Sequence, residues 1–297
     1  MTSGEQGFLL LTGYLGDPQR KPLTIPQFRE LSKRMQGMSR PEQNREMNEE
    51  DLVAVGCDRA FAQRVLFLLS QTDQLNWYLA KGRQANCVPI TRVTQGYPVA
   101  VRKRLGLEAP GVLWAKGDLS LLNTPKIALV GSRELGEENR IFAENVGRQA
   151  ALQGYVLVSG NAKGADSTAQ ESCLAGGGNV ICVVPDELEK YPVQENVLYL
   201  SEDGFDMVFS PYRALQRNRI IHTLGSSTFV AQSGFKSGGT WDGTQKNLQY
   251  GWSNVYCFRD GSNASKELEQ LGAVLIDMQQ LQNISALQPN TINFIDQ

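Results

Sequence analysis

Two short apolar runs, 127–130 in KIALVGSR and 156–158 in YVLVSGNAKGAD, each stop at a small polar loop that contains glycine. Short apolar runs bounded by turn residues are the pattern of strands buried on both faces. After the first run, Gly131, Ser132 and Arg133 form a turn, and helical spacing of apolar positions predicts a helix over 137–153. After the second, 159–164 form the loop and a helix is expected over 163–175. A strand that stops at glycine lets backbone N–H groups approach a ligand, and the following helix adds its positive end. Two such loops in successive strands describe an anion or phosphate cradle. Neither is a G-x-G-x-x-G dinucleotide fingerprint or a P-loop ending in Gly-Lys-Ser/Thr.

The alternation continues downstream. A third strand is expected over 179–184, then strands over 206–210, 228–232, 254–258 and 273–276, with helices over 214–224, 240–250 and 264–271. Strand and helix in alternation imply an α/β fold: a mainly parallel, doubly wound sheet with helices on both faces. The first 85 residues differ, with apolar positions at helical spacing over 25–35, 48–55 and 58–70. A small all-helical domain of the SAM or helix-hairpin kind is therefore expected over 1–85. Its segment 35–48 is polar, as a connection would be. Residues 86–122 read as an extended lead-in punctuated by Pro89, Pro98 and Pro110, with Arg102, Lys103 and Arg104 as a solvated basic face. The sheet domain is expected over 123–285 and a tail over 286–297.

Composition narrows the class. With 297 residues, 41% apolar and 20% charged, the chain has the make-up of a folded protein with room for two domains. No apolar span approaches the roughly 20 residues of a membrane helix, and a cytoplasmic location is expected. The five cysteines are widely spaced and form no C-x-x-C pair, which argues against a disulfide frame or a zinc site. Basic residues outnumber acidic ones over 1–122 and the reverse holds over 123–285. Nucleic-acid binding would therefore depend on a local patch, not on bulk charge.

In a doubly wound sheet the loops after the strands carry the ligand. Here those loops offer amides from Gly131, Gly160, Gly164, Gly238 and Gly239, and hydroxyls from Ser132, Ser159, Ser237 and Thr240. They also carry the cations Arg133, Lys163, Arg217, Arg219 and Lys236, an inventory suited to a phosphate-bearing ligand. Catalysis is poorly served. The single histidine, His222, lies in the apolar run RIIHTLG and reads as structural, and no metal-ligand spacing is present. Asp166, early in a helix, reads either as a capping residue or as a general base.

The succession GDLSLLNTPKIALVGSR, LVSGNAKGADSTAQESCLAGGGNVICVVP and RNRIIHTLGSSTFVAQSGFKSGG resembles the DNA-processing protein A family, also called Smf. The upstream segments YPVAVRKRL and VLWAKGD agree with it. The resemblance implies an extended Rossmann-like domain that binds single-stranded DNA and hands it to a RecA-type recombinase. It further implies a homodimer, no cofactor and no known catalysis. By that likeness, Ser132, Arg133, Ser159, Gly160, Lys163, Gly164, Arg217, Asn218, Arg219, Lys236, Ser237 and Gly238 would line a DNA phosphate pocket. Gly131, Gly239 and Thr240 belong to the same loops, and Phe235 and Trp241 are the candidates for stacking on bases. The chain departs from the family in GNAKGAD, in SGGTWDGTQ, and in lacking the C-terminal winged helix. GGTWDGT is instead similar to the phosphate loop of nucleoside-phosphate hydrolases that resemble lysine decarboxylases, with Gln245 and Lys246 where a catalytic glutamate would stand. A nucleotide sensor or hydrolase is therefore the alternative.

Overall fold

Successive side chains of a strand point to opposite faces of its sheet, so a doubly covered strand must be apolar at every position. In the strand Lys126–Val130, Ile127 and Leu129 enter one apolar layer while Ala128 and Val130 enter the other. A computed structural model of the chain describes residues 1–36 and 46–289. Part of the expected polar connection and most of the expected tail lie outside the described residues.

Five helices come first: α1 (Ser3–Thr12), α2 (Ile25–Gln36), α3 (Glu49–Ala54), α4 (Arg59–Ser70) and α5 (Thr72–Gln84). Then follow β1 (Val88–Thr91), α6 (Val99–Leu105), β2 (Val112–Gly117), β3 (Lys126–Val130), α7 (Glu137–Leu152), β4 (Val156–Ser159) and α8 (Ala165–Ala175). The rest comprises β5 (Asn179–Val183), β6 (Val197–Glu202), α9 (Pro211–Gln216), α10 (Asn218–Leu224), β7 (Ser227–Val230), α11 (Gly238–Tyr250), β8 (Asn254–Phe258), α12 (Asn263–Gln270) and β9 (Val274–Ile276). One sheet runs in the order β1-β2-β6-β5-β4-β3-β7-β8-β9. The pairs β1 with β2 and β2 with β6 are antiparallel, and all other neighbours are parallel. The α/β, mainly parallel, doubly wound expectation is met.

Apolar side chains of α7 and α8 cover one face together with Leu9, Leu75 and Tyr78 of the N-terminal helices. Residues of α6, α10, α11 and α12 cover the other. A third cluster, including Leu31, Leu52, Val65 and Leu68, holds the N-terminal helices to one another. Those helices also reach the sheet. Tyr78 packs edge-on against Trp114 at 5.2 Å and lies 4.9 Å from Phe205. Its hydroxyl donates to Asp206 Oδ1 at 2.6 Å, and Lys81 Nζ reaches Asp206 Oδ2 at 3.1 Å.

Three local expectations are corrected. Residues 206–210 are not a strand. The sheet instead takes Val197–Glu202, whose first five residues are buried, while Val208 and Phe209 are exposed beyond it. The expected helix over 214–224 starts earlier, at Pro211, whose fixed φ suits a first turn, and it breaks at Arg217 into α9 and α10. The 86–122 segment contributes two strands to the sheet, and its basic trio lies on α6. Arg104 there donates to the carbonyls of Thr223 and Gly225, so it closes the C-terminal end of α10 and is not part of a solvated face.

His222 is buried in a polar network behind the sheet. Its Nδ1 lies 3.2 Å from Thr228 Oγ1 and 3.1 Å from Asn247 Nδ2, and Asn247 also bonds Ser253. Burial pushes its pKa down to about 3 from 6.5. Below pH 6.5 the unfolded chain takes up a proton that the folded ring refuses, so stability from this group is lost as pH falls toward 3. The predicted contribution approaches about 1.4 kcal/mol per pH unit between those limits. Urea unfolding from pH 6.5 to about 5 should show a shallower decline for His222→Gln than for the native chain. Parallel declines would remove His222 as a source of acid sensitivity.

Candidate functional site

The strand order reverses between β3 and β7: the chain leaves β3 toward β4 and β5, and leaves β7 toward β8 and β9. Such a reversal opens a crevice beyond the carboxyl ends of the strands, where doubly wound folds place their ligands. The three loops at this point are tied together. Ser132 N and Oγ both donate to the Gln232 carbonyl, at 3.0 and 3.3 Å, and Gly136 N donates to Gln232 Oε1 at 2.9 Å. The carbonyl of Ser132 accepts from Ala165 N at 3.1 Å. Gly164 makes this junction possible: its φ is +89°, and a Cβ there would collide with the carbonyls of Ser132 and Arg133.

Beneath the second loop lies a buried carboxylate facing a buried guanidinium. Asp166 Oδ2 accepts from Gly160 N at 3.1 Å and from Ala162 N at 3.2 Å. Burial pushes the Asp166 carboxyl upward, while the positive charge of Arg217 and the two amide donors pull it down. Arg217 is only 8% exposed and donates Nη1 to the Val183 carbonyl at 2.5 Å. Its guanidinium lies against Gly160, where any side chain would clash with it. Arg217 Nε has no hydrogen-bond partner. Burial draws its pKa down and Asp166 opposes that. At Asp166 burial is the larger effect and the carboxyl lies above its ordinary range, and its part in the loop is that of an internal acceptor for two amides.

These contacts revise the expected cradle. The Gly160 amide serves Asp166, the Ser159 hydroxyl is fully buried and accepts from Gln170, and the Ser132 hydroxyl serves Gln232. The cations divide into two groups. Arg219 forms a two-pronged pair with Glu202 on the side of α10. Lys236 pairs with Glu267 at 2.7 Å. Arg133 and Lys163 are exposed and make no ion pair or hydrogen bond through their side chains among the described residues. Both project from the loops around Arg217, and Arg133 is close enough for its charge to bear on Asp166 and Arg217.

The loop after β7 turns tightly through Gly234 and Ser237, with Lys236 at a φ of 51°. Ser237 stands at the N-cap of α11 with no side-chain cap bond, followed by Gly238, Gly239 and Thr240. Phe235 is 51% exposed, with Lys236 Nζ 5.2 Å above its ring. Trp241, the other stacking candidate, is 7% exposed and packs edge-on against Phe235, so it forms part of the core. The segment GGTWDGT is explained by packing. Gly239 lies against Leu215 and Asn218, Gly243 lies against His222 and Asn218, and Asn218 Nδ2 donates to the Gly239 carbonyl at 3.1 Å. Two glycines one helical turn apart let α11 lie close to α10. Lys246 pairs with Asp242 at 3.0 Å.

Two cavities open beside the crevice. One of about 110 Å³ is lined by Arg213, Arg217, Arg219, Glu202, Asp203 and Tyr212, and one of about 650 Å³ runs between α9–α10 and α11. Glu202 and Arg213 do not stand out in the sequence as crevice residues, because the strand that places them, Val197–Glu202, lies ahead of the apolar run at 206–210. Arg213 donates to the Pro185 and Glu202 carbonyls and to Ser201 Oγ, fixing the end of β6. Its position two residues after a proline that opens a helix is the signal that was available.

A mainly parallel α/β sheet whose order reverses above a crevice is the class of fold that places ligands beyond its strand ends. Residues 89–281 match the family of the DNA recombination-mediator protein A, and the chain belongs to that family. It is 35% identical over 141 residues to the DNA processing protein DprA of Streptococcus pneumoniae, covering 44% of this chain and 50% of that protein. It is 28% identical over 164 residues to DprA of Bacillus subtilis, covering 52% and 54%. The matched stretch thus spans about half the length of these curated relatives. The solved structure of S. pneumoniae DprA superposes with a TM-score of 0.72 at 24% identity, covering 97% of this chain and 99% of that one. DNA processing protein A from Helicobacter pylori, solved to describe its single-stranded DNA binding mode, gives 0.55 at 23% identity, covering 66% and 94%. The Rossmann-like fold of the family is therefore shared.

Removing the Asp166 carboxylate leaves two loop amides without an acceptor. Asp166→Ala is predicted to lower the unfolding free energy by about 2 kcal/mol, and Lys163→Ala to change it by less than about 0.5 kcal/mol. Chemical denaturation checks this, and equal losses would contradict the role given to Asp166.

Proposed function

We propose that this protein binds single-stranded DNA by its backbone, without chemistry of its own, in recombination or in the uptake of transforming DNA. One observation carries the reading: two exposed, unpaired cations, Arg133 and Lys163, stand around the buried Arg217 where the sheet reverses. A phosphodiester chain is an extended polyanion, matched better by spaced cations than by a single closed nest of amides. Membership of the DNA recombination-mediator family supports the same reading, as does the single-stranded DNA binding of the H. pylori relative. Exposed Phe235 beside Lys236 adds a surface on which a base can stack. Ser237 and Gly238 extend the pocket on the β7 side.

The reading includes a RecA-type recombinase as partner, a homodimer and a cytoplasmic location, all three supported by the family resemblance. No helix among the described residues is long and apolar enough to cross a membrane. A non-catalytic role is supported by the engagement of His222 in a buried network and by Gln245 and Lys246 at the positions where a hydrolase would carry its glutamate.

The test is titration of fluorescent oligothymidylate over a range of salt concentrations. Arg133→Ala combined with Lys163→Ala is predicted to weaken binding at least about tenfold and to reduce the log–log salt slope by about 1.4, the loss of two phosphate contacts. Lys236→Ala, which removes a cation already paired with Glu267, is expected to cost less than about threefold. Unchanged affinity and slope in the double variant would refute the assignment. A melting temperature raised by nucleoside monophosphates but not by oligonucleotides would favour the nucleotide-binding alternative.

A further inference from the structure

We infer that the groove between α9–α10 and α11 receives unpaired bases of the strand whose phosphates lie at Arg133 and Lys163. The inference rests on the DNA-binding reading and adds a second, chemically different subsite to it.

The groove has a volume of about 650 Å³, within the range of small-molecule sites. Its walls carry two tyrosines that folding leaves in water, Tyr212 at 70% exposure and Tyr250 at 62%. Tyr250 lies on Trp252 with ring centroids 5.6 Å apart and planes at 18°, so one of its faces is already stacked. Gly239 and Gly243, which bring α11 close to α10, also line the groove and place no side chain in it.

Charge separates this groove from the crevice above β3 and β4. Its cations are already neutralised, Arg219 by Glu202 and Lys246 by Asp242, and Glu108 adds a carboxylate to the rim. A phosphate gains little in such surroundings. An uncharged aromatic ring with polar edges gains stacking surface from the tyrosines and hydrogen-bonding groups from Gln216 and Asn218. The two subsites are adjacent in the chain: Asn218 on the groove follows Arg217 of the crevice, and Gly238 on the groove ends the loop that begins at β7. In a duplex the base faces are stacked and the pairing edges are occupied. Only a single strand can present both its backbone to one subsite and its bases to the other.

Two probes distinguish the subsites: an oligothymidylate, and an abasic phosphodiester of the same length that keeps the charges and lacks the bases. The intact chain should bind the oligothymidylate about tenfold or more tighter than the abasic strand at one salt concentration. Tyr212→Ala with Tyr250→Ala should remove most of the preference for the oligothymidylate, the remainder being the share of exposed Phe235, and should leave abasic affinity and its salt slope unchanged. Tyr212→Phe with Tyr250→Phe should restore the preference, since the ring and not the hydroxyl provides the surface. Equal binding of the two probes by the intact chain overturns the groove and leaves the DNA-binding reading standing, as does a preference that survives the double alanine variant undiminished. Failure of both probes to bind the intact chain overturns the DNA-binding reading itself.

Discussion

Everything at the strand ends is arranged around one buried charge, the guanidinium of Arg217. A cation removed from water persists only where dipoles and an opposite charge replace its hydration. The Val183 carbonyl and the field of Asp166 provide that replacement, and Gly160 gives the guanidinium the room a side chain would take. Asp166 in turn gathers the amides of Gly160 and Ala162. The loop after β4 is therefore shaped from within. Its exposed cation is mounted on a frame set before any ligand arrives.

The consequence is a crevice that offers side-chain charge more than backbone amides. Glycine-rich loops after strands commonly turn their amides toward a phosphate, but here a carboxylate of the protein takes two of those amides. The charge that remains outward is on Arg133 and Lys163, while Arg219 and Lys236 hold Glu202 and Glu267. A chain with a net charge of −2 thereby keeps a small positive region without becoming basic overall.

The parallel core was legible because burial on both faces leaves an unmistakable apolar run, as in β3, β4, β5 and β8. The strand Val197–Glu202 was not read, although its apolar run is as good, because the nearby run at 206–210 drew the assignment. Met207, Val208 and Phe209 there are apolar without being buried, and a sequence pattern cannot separate the two. The break at Arg217 was equally hidden, since no glycine or proline marks it. At the site, the loops and their cations were legible as an inventory. Which of them were already paired was not, because Glu202 and Glu267 meet Arg219 and Lys236 only through the fold. Gly239 and Gly243 of GGTWDGT, suggestive of a phosphate loop in sequence, are an accommodation between neighbouring helices.

The contact of Tyr78 and Lys81 with Asp206 bears on how the crevice is held. Asp206 lies between β6, which ends at the Arg219 partner Glu202, and α9, which leads to Arg217. With the Tyr78, Trp114 and Phe205 rings packed beside it, this contact ties the N-terminal helices to the segment that leads into the crevice. The segment that carries the buried arginine is held from the other side by Arg213, which donates to the Pro185 and Glu202 carbonyls. The helices before the sheet thus brace the turn between β6 and α9 through one tyrosine and one lysine, so the crevice is buttressed by a part of the chain that does not line it.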